Sequence, residues 1–354
     1  MKMKMSFTIV LMCLIGNLAA QQHSVIEEFL QTQMSEYHIP ALSVAIIQNG
    51  EIKIKKTYGN ANLEYSIPNT DTTAFPLASV TKLISATAIM TLVQEGKLNL
   101  YEKVRHYLPE LPETWNNMKV IDLVAHQSGI ADLLALQIEF PSLQSALDTA
   151  ASRPLDFEPG TKTVYAGGDY AAVMKLIEKI SGLGFQAFLQ NFFEKLDMGH
   201  TVFNNMEQDF IYRTYDVIPY AATVYKWDNE QSRQRIFSMM FPSWTYPSGG
   251  LFSSISDLAK WVVALDKNTL LKPEFSEMMW TPAKLQSGED SPFGVGWIVD
   301  KHNGEKATGH SGGPALADIV RLPEKKITVI VLTNQLELRP FLSMKVLDFY
   351  LNNK

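Results

Sequence analysis

Ser79 and Lys82 stand three residues apart in Ser79-Val80-Thr81-Lys82, with Phe75-Pro76-Leu77-Ala78 leading in. An apolar helical pattern leads out through Leu83, Ala86, Ile89, Met90 and Val93, so Ser79 falls at or near a helix start. Positions i and i+3 share a helix face, which brings Lys82 within reach of the Ser79 hydroxyl. A serine hydroxyl is a poor nucleophile at neutral pH and needs a base beside it. A lysine desolvated between packed regions has a lowered pKa and can be that base. The helix N-terminus favours developing negative charge. The plainer alternative makes Ser79 an N-cap and Lys82 a solvated side chain; the four-residue pattern alone does not separate the two.

Two other segments supply partners for this pair. Tyr165-Ala166-Gly167 follows the turn signal Phe157-Glu158-Pro159-Gly160 and precedes a helix expected to begin near Tyr170. A tyrosine on such a loop can relay a proton between Ser79, Lys82 and a leaving group; otherwise it is a packed ring with its hydroxyl at a wet edge. Gly309-His310-Ser311-Gly312-Gly313 precedes a strand-like run. Its small residues let a substrate lie along a strand edge, and a backbone N–H near Gly313 can join that of Ser79 as an oxyanion hole. The alternative is a glycine-rich turn.

The same segment spells G-x-S-x-G, which invites a nucleophile at Ser311. That motif needs a helix after the serine and a catalytic histidine later in the chain. Here a strand-like run follows and His310 is the last histidine, so Ser311 is rejected as nucleophile. The seven histidines, at 23, 38, 106, 126, 200, 302 and 310, form neither H-x-H nor H-E-x-x-H. No metal cluster is motivated and no cofactor is called for.

The elements that must position these residues are legible at both ends of the chain. A helix is expected over Val25–Tyr37, ended by Pro40. Ser43–Gln48 and Glu51–Lys55 flank Asn49-Gly50, a hairpin signal. Ala317–Leu322 and Ile327–Leu332 form a second hairpin, and a last helix after Pro340 offers Phe341, Met344, Val346, Leu347 and Tyr350 for packing. Between Ser79 and about Trp261 the apolar spacing is mostly helical, as in Val80–Gln94 and Tyr170–Ile180, with long irregular links. The expectation is an α/β protein of the α+β type. An antiparallel sheet is built from both chain ends and flanked by helices, and a mainly helical region is inserted between its strands. Residues 21–75 and 285–354 form the sheet region and 76–284 the helical region of one domain.

The chain of 354 residues carries a net charge of −6 with no block of like charges, which excludes a basic nucleic-acid footprint. Lys2 and Lys4 precede an apolar run from Phe7 to Ile15 and the small residues before Gln21. This describes a secretory leader over residues 1–20, too short to span a bilayer comfortably. Its removal takes the net charge to −8 and removes Cys13, the only cysteine, leaving no disulfide and no thiol nucleophile. The expected location is the periplasm or the exterior of a bacterial cell, with no stable membrane span after cleavage.

Taken together, the segments resemble the class C β-lactamases and their relatives, the D-alanyl-D-alanine carboxypeptidases, D-aminopeptidases and esterases of the same fold. Phe75–Lys82 resembles the family's nucleophile segment and Leu123-Val124-Ala125-His126-Gln127-Ser128-Gly129-Ile130 its LLxHxSGL stretch. Glu158-Pro159-Gly160 with Tyr165 is similar to the approach to its Y-x-N, and Leu196-Asp197-Met198-Gly199-His200-Thr201 to its LGMxxT. Ser248–Ser254, Phe293–Trp297 and Gly309–Gly313 resemble three further blocks, in order. The resemblance implies a β-lactamase/transpeptidase-like fold and an acyl-enzyme on Ser79, with Lys82 and Tyr165 handling protons. His126 and Ser128 are expected to hold a loop, Gly249 and Gly250 to shape the cleft, and Trp297 to be core.

Two departures bear on substrate. Gly167 stands where the family has the asparagine of Y-x-N, a side chain that contacts the substrate amide and the lysine; Asp169 compensates only if the loop shifts. His310-Ser311-Gly312 stands where the family has K-T-G, and a mostly neutral histidine offers less to a substrate carboxylate than lysine. The expected substrate-binding set is therefore Gly167, His310, Ser311, Gly312 and Gly313. Three readings follow. The first is a hydrolase of a small-molecule ester or peptide. The second is a β-lactamase or penicillin-binding carboxypeptidase acting on a β-lactam-like substrate. The third is a catalytically weak protein that binds a peptide or cell-wall fragment.

Overall fold

The computed structural model of the chain describes residues 25–208, 213–238, 241–313, 316–337 and 342–353. The expected leader, Cys13 and Phe341 lie outside them.

On the N-terminal side come helix α1 (residues 25–36) and strands β1 (Ala41–Gln48), β2 (Glu51–Asn62) and β3 (Ile67–Pro68). The central stretch begins with β4 (Phe75–Pro76) and a single 3₁₀ turn, Ala78–Val80. Its helices are α2 (Thr81–Gln94), α3 (Val104–Tyr107), α4 (Val120–Val124), α5 (Leu143–Ala151), α6 (Gly167–Ser181), α7 (Phe185–Lys195), α8 (Tyr246–Gly249), α9 (Ile255–Asp266) and α10 (Pro273–Met279). Among them lie the short strands β5 (Val202–Phe203), β6 (Met206–Gln208), β7 (Arg213–Tyr215), β8 (Val224–Asp228), β9 (Arg233–Phe237) and β10 (Leu251–Ser253). The C-terminal side contributes β11 (Ile298–His302), β12 (Glu305–Gly312), β13 (Ala317–Leu322), β14 (Ile327–Thr333) and α11 (Leu342–Asn352).

Seven strands form one sheet in the order β11-β12-β13-β14-β1-β2-β3. The two chain ends meet in its middle, where β1 runs antiparallel to β14 from Leu42↔Thr333 to Gln48↔Ile327. β1 has a neighbour on each side and is buried along nearly its whole length, which explains a sequence that is apolar apart from Ser43 and the terminal Gln48. The β1–β2 turn uses Asn49 and Gly50, both at positive φ (54° and 72°), as a two-residue hairpin of matching twist requires.

Side-chain alternation splits the sheet between two cores. Val44, Ile46, Val329 and Val331 pack under Ile26 and Leu30 of α1 and Val346 and Leu347 of α11. Ala45, Ile47, Ile330 and Leu332 face the helical region, with α9 lying against β1 and β14. The α+β architecture expected from the sequence is the one observed. Most strands of the central stretch had no signal in the helical spacing, because the two- and three-residue strands β5, β6, β7 and β10 are too brief to show a period.

Candidate active site

Ser79 sits on the 3₁₀ turn that opens into α2, and Lys82 is the second residue of that helix. Two devices fix this corner. β4 pairs with β10 through Phe252↔Pro76 and Ser253↔Phe75, and Leu77 N–H donates to Leu251 O at 2.8 Å. On the other flank the end of β12 presses against the same turn. A Cβ on Gly312 would lie 2.0 Å from the Leu77 carbonyl oxygen, so only glycine permits this approach. Helix α2 is buried on every side over its first turns, which places Lys82 in the protein interior rather than on a solvated face.

Three reactive groups converge. Tyr165 Oη donates to Ser79 Oγ at 2.9 Å, and Lys82 Nζ lies 3.4 Å from the same oxygen. Lys82 Nζ also donates to the Ser248 carbonyl of α8 at 3.0 Å and stands over the Tyr165 and Tyr170 rings at 4.8 and 5.2 Å. Burial pushes the Lys82 pKa down to about 7, against the pull of Asp169 and Asp132. Burial likewise pushes the Tyr165 phenol up to about 12, although the residue as a whole is 42% exposed. At neutral pH the lysine is the group able to take a proton and the tyrosine the group able to give one.

Behind Tyr165 lies a buried polar cluster. Asp169, in the first turn of α6, meets His126 Nδ1 at 2.7 Å and accepts from the Ser128 hydroxyl. Burial pushes His126 down to about 3 and drives the Asp169 carboxyl upward, so this buried contact works as a hydrogen bond that fixes both side chains. Val164 N–H donates to the His126 carbonyl at 2.9 Å and the two rings, of His126 and Tyr165, sit 4.5 Å apart. The cluster therefore holds the tyrosine loop, the role expected for His126 and Ser128. Asp169 is committed to it and does not stand in for the missing asparagine.

The structure corrects one local expectation and decides between two readings at another place. Helix α6 begins at Gly167 rather than near Tyr170, so Gly167 belongs to a first helical turn and not to the loop. The His310 segment is the end of β12, paired to β13 through His310↔Ile319 and Gly312↔Ala317, and not the glycine-rich turn that was the alternative. The ladder with β11 stops at Ile298↔Gly309, which leaves His310–Gly312 with a strand neighbour on one side only. His310 faces the cleft, its ring 6.0 Å from that of Tyr165, and burial pushes its pKa down to about 3. Ser311 pairs with Asp318, whose carboxylate accepts from Ser343 N–H of α11. Its hydroxyl thus points to the terminal-helix face, where it is buried with no hydrogen-bond partner among the described residues. The fold brings together Ser79, Lys82, Tyr165, His310 and the Gly312 backbone, and not the Ser311 side chain.

Sequence reasoning missed two groups. One is the Ser248 carbonyl, a backbone acceptor with no residue-type signature. The other is Asp132, whose Oδ1 accepts from Gly167 N–H at 3.0 Å and from Leu134 N–H at 3.2 Å. Among the described residues there is no group of three or more acidic, histidine or cysteine side chains arranged to hold a metal. None of the helices there is long and apolar enough to cross a membrane.

A family model described as Beta-lactamase matches residues 26–349. Protein flp of Staphylococcus aureus (strain MW2) is 24% identical over 326 residues, 87% of this chain and 62% of that protein; the chain spans less than two thirds of the length of this relative. The octameric penicillin-binding protein homologue from Pyrococcus abyssi superposes with a TM-score of 0.77 at 28% identity, covering 93% of this chain and 77% of the other. The D-amino acid amidase from Ochrobactrum anthropi SV3 superposes with a TM-score of 0.76 over 93% and 98% of the two chains. At 21% identity that second likeness is one of fold.

Proposed function

The chain belongs to the β-lactamase family, and on that premise we propose that it is a serine hydrolase whose Ser79 forms an acyl-enzyme with an ester or small amide substrate. One observation carries the reading: a lysine with a pKa of about 7 and a protonated tyrosine both reach the hydroxyl of one serine at a helix start. Ser79 Oγ attacks the substrate carbonyl carbon while its proton passes to Lys82 Nζ. The backbone N–H groups of Ser79 and of the Gly312–Gly313 strand end are the candidate donors to the oxyanion. Collapse breaks the bond to the leaving group, which takes a proton through Tyr165 from Lys82. Water then attacks the acyl-enzyme, releasing the acid and returning the proton to Ser79.

The open edge of β12 beyond Gly309 supports an extended substrate segment lying beside His310. A neutral His310 and a side-chain-free Gly167 argue against the β-lactamase and carboxypeptidase reading, which relies on a fixed cation and an amide at those places. Intact Ser79, Lys82 and Tyr165 argue against a pure binding protein. Hydrolysis of p-nitrophenyl acetate that disappears in Ser79→Ala, with nitrocefin turned over slowly or not at all, is the expected outcome. Brisk nitrocefin turnover would favour the β-lactamase reading, and equal ester hydrolysis by the variant would remove Ser79 from the chemistry.

We take the site of action to be the periplasm or the medium, on the strength of the leader pattern over residues 1–20. N-terminal sequencing of the exported protein should begin at Gln21; protein retained in the cytoplasm with Met1 intact would contradict this.

A further inference from the structure

A cavity of about 510 Å³ opens beside the turn Pro159-Gly160, and none of Ser79, Lys82, Tyr165 or His310 lines it. The volume falls within the roughly 300–1,000 Å³ of small-molecule sites. Much of the wall is apolar, with Ile121 from α4, Met278 from α10 and Leu285 from the loop bridged through Lys284↔Asp290. That loop is tied to the turn: Gln286 N–H donates to the Gly160 carbonyl at 2.8 Å, and Gln286 Nε2 donates to the Pro159 carbonyl at 2.7 Å.

One lining residue is a buried carboxylate. Asp122, in the first turn of α4, is 5% exposed. Its Oδ2 accepts from Lys119 N–H at 2.8 Å and so caps the helix. Oδ1 has no hydrogen-bond partner among the described residues, so the structural role of Asp122 uses one oxygen only. A Cβ on Gly160 would stand 3.6 Å from Oδ1, and Gly160 also lines the cavity, at a φ of +79°. Glycine at this turn therefore leaves open an approach that a side chain would crowd. Burial pushes the Asp122 carboxyl up to about 6, which leaves it charged at neutral pH yet poorly hydrated. A buried charge in that condition gains from a partner.

The other charges set the sign of that partner. Glu274, Glu277, Lys119 and Lys284 line the same cavity. Glu277 is matched by Lys306 at 3.0 Å and Lys284 by Asp290 at 2.5 Å. Among the described residues this leaves the carboxylates of Asp122 and Glu274 against the single ammonium of Lys119, an excess of one negative charge. A carboxylate ligand would add to that excess, and a singly charged cation would cancel it. The planar fork of a guanidinium is matched by two free carboxylate oxygens, whereas an ammonium needs only one.

We propose that this cavity is a second ligand site, separate from the Ser79 cleft. It takes a small organic ammonium of single charge, which donates to Asp122 Oδ1 while its apolar body lies against Met278 and Leu285. The proposal does not depend on the serine-hydrolase reading.

The test titrates phenethylammonium chloride, 2-phenylethanol and sodium 3-phenylpropionate into the full protein by calorimetry at neutral pH, with wild type, Asp122→Asn and Glu274→Gln. The ammonium should bind saturably at a Kd of about 1 mM or tighter, about tenfold more tightly than the alcohol, and the carboxylate should not bind. Asparagine keeps an acceptor for Lys119 N–H and removes the charge, so Asp122→Asn should weaken ammonium binding about tenfold. Glu274 is exposed, and its neutralisation should weaken binding about two- to threefold. Melting temperature checks the fold of each variant, and Glu274→Gln decides alone should Asp122→Asn not fold. No saturable binding to wild type, equal binding of ammonium and alcohol, or binding unchanged in the folded variants overturns the inference. Ester hydrolysis and its dependence on Ser79 are read in a separate assay, so either conclusion can fail while the other stands.

Discussion

An ammonium enclosed by protein, with one carbonyl and two ring faces for company, has lost most of its hydration, and its proton becomes easy to remove. For Lys82 the consequence is a pKa near 7, against 10.5 for a free lysine. Acylation needs the neutral amine, so kcat/KM for an ester should rise with pH through about 7 and then level. A flat profile across that range, or one that falls, would show that another group limits the reaction. Lys82→Ala should lower the acylation rate on the order of 10²–10⁴-fold, as loss of a general base does. Tyr165→Phe should lower kcat with little change in KM, since the phenol serves proton transfer rather than binding; a change confined to KM would assign it to recognition. Ser79 and Lys82 were legible because their relation is local, one turn of one helix. Asp132 and the Ser248 carbonyl were not, because they reach the site through pairings 35 and 166 residues apart in the chain.

The nucleophile corner is shaped by a strand end and a 3₁₀ turn pressed together at Gly312 and Leu77. Gly312→Ala places a methyl group against a carbonyl oxygen, and β12 must then move away from the turn. The expected cost is about 1–3 kcal/mol of stability, with a larger fractional loss of activity than of folded protein. Unchanged melting temperature and rate would mean that the approach is not as tight as the structure has it. Gly167 is a second such place. An asparagine there meets Leu134 and Asp132, so Gly167→Asn should destabilise the protein and should not by itself raise nitrocefin turnover. A gain in nitrocefin turnover would show that the loop at Leu134 yields. The sequence marked both glycines as part of the site, yet placed Gly167 in a loop and left Gly312 between a strand edge and a glycine-rich turn. Glycine breaks the periodic signal that distinguishes a strand end or a first helical turn from irregular chain.

At the scale of the molecule, the sheet that carries His310 is closed by strands from opposite ends of the sequence, β1 against β14. The hairpins around Asn49-Gly50 and over Ala317–Leu332 were readable from alternation and turn chemistry, and with them the α+β plan. The sheet order was not, since which hairpin edges pair is decided by the shared cores under α1, α11 and α9. The enclosure that makes the site also creates an acid sensitivity. His310 is buried as the neutral imidazole, with its pKa lowered from 6.5 to about 3. As pH falls below about 6.5 the unfolded chain binds a proton there that the folded chain refuses until about 3, so stability is lost across that window. The stability of wild type relative to His310→Gln should therefore decline as pH drops from about 6.5 toward about 3. A pH-independent difference in denaturant unfolding would show that His310 protonates normally in the folded protein.

The most direct measurement of the central claim is covalent labelling. The folded protein is treated with a fluorophosphonate and the adduct is located by peptide mass mapping. The account predicts one adduct, on Ser79, formed faster as pH rises through about 7 and much more slowly in Lys82→Ala. A folded protein that takes no label, or takes it at another serine such as Ser311, would contradict it.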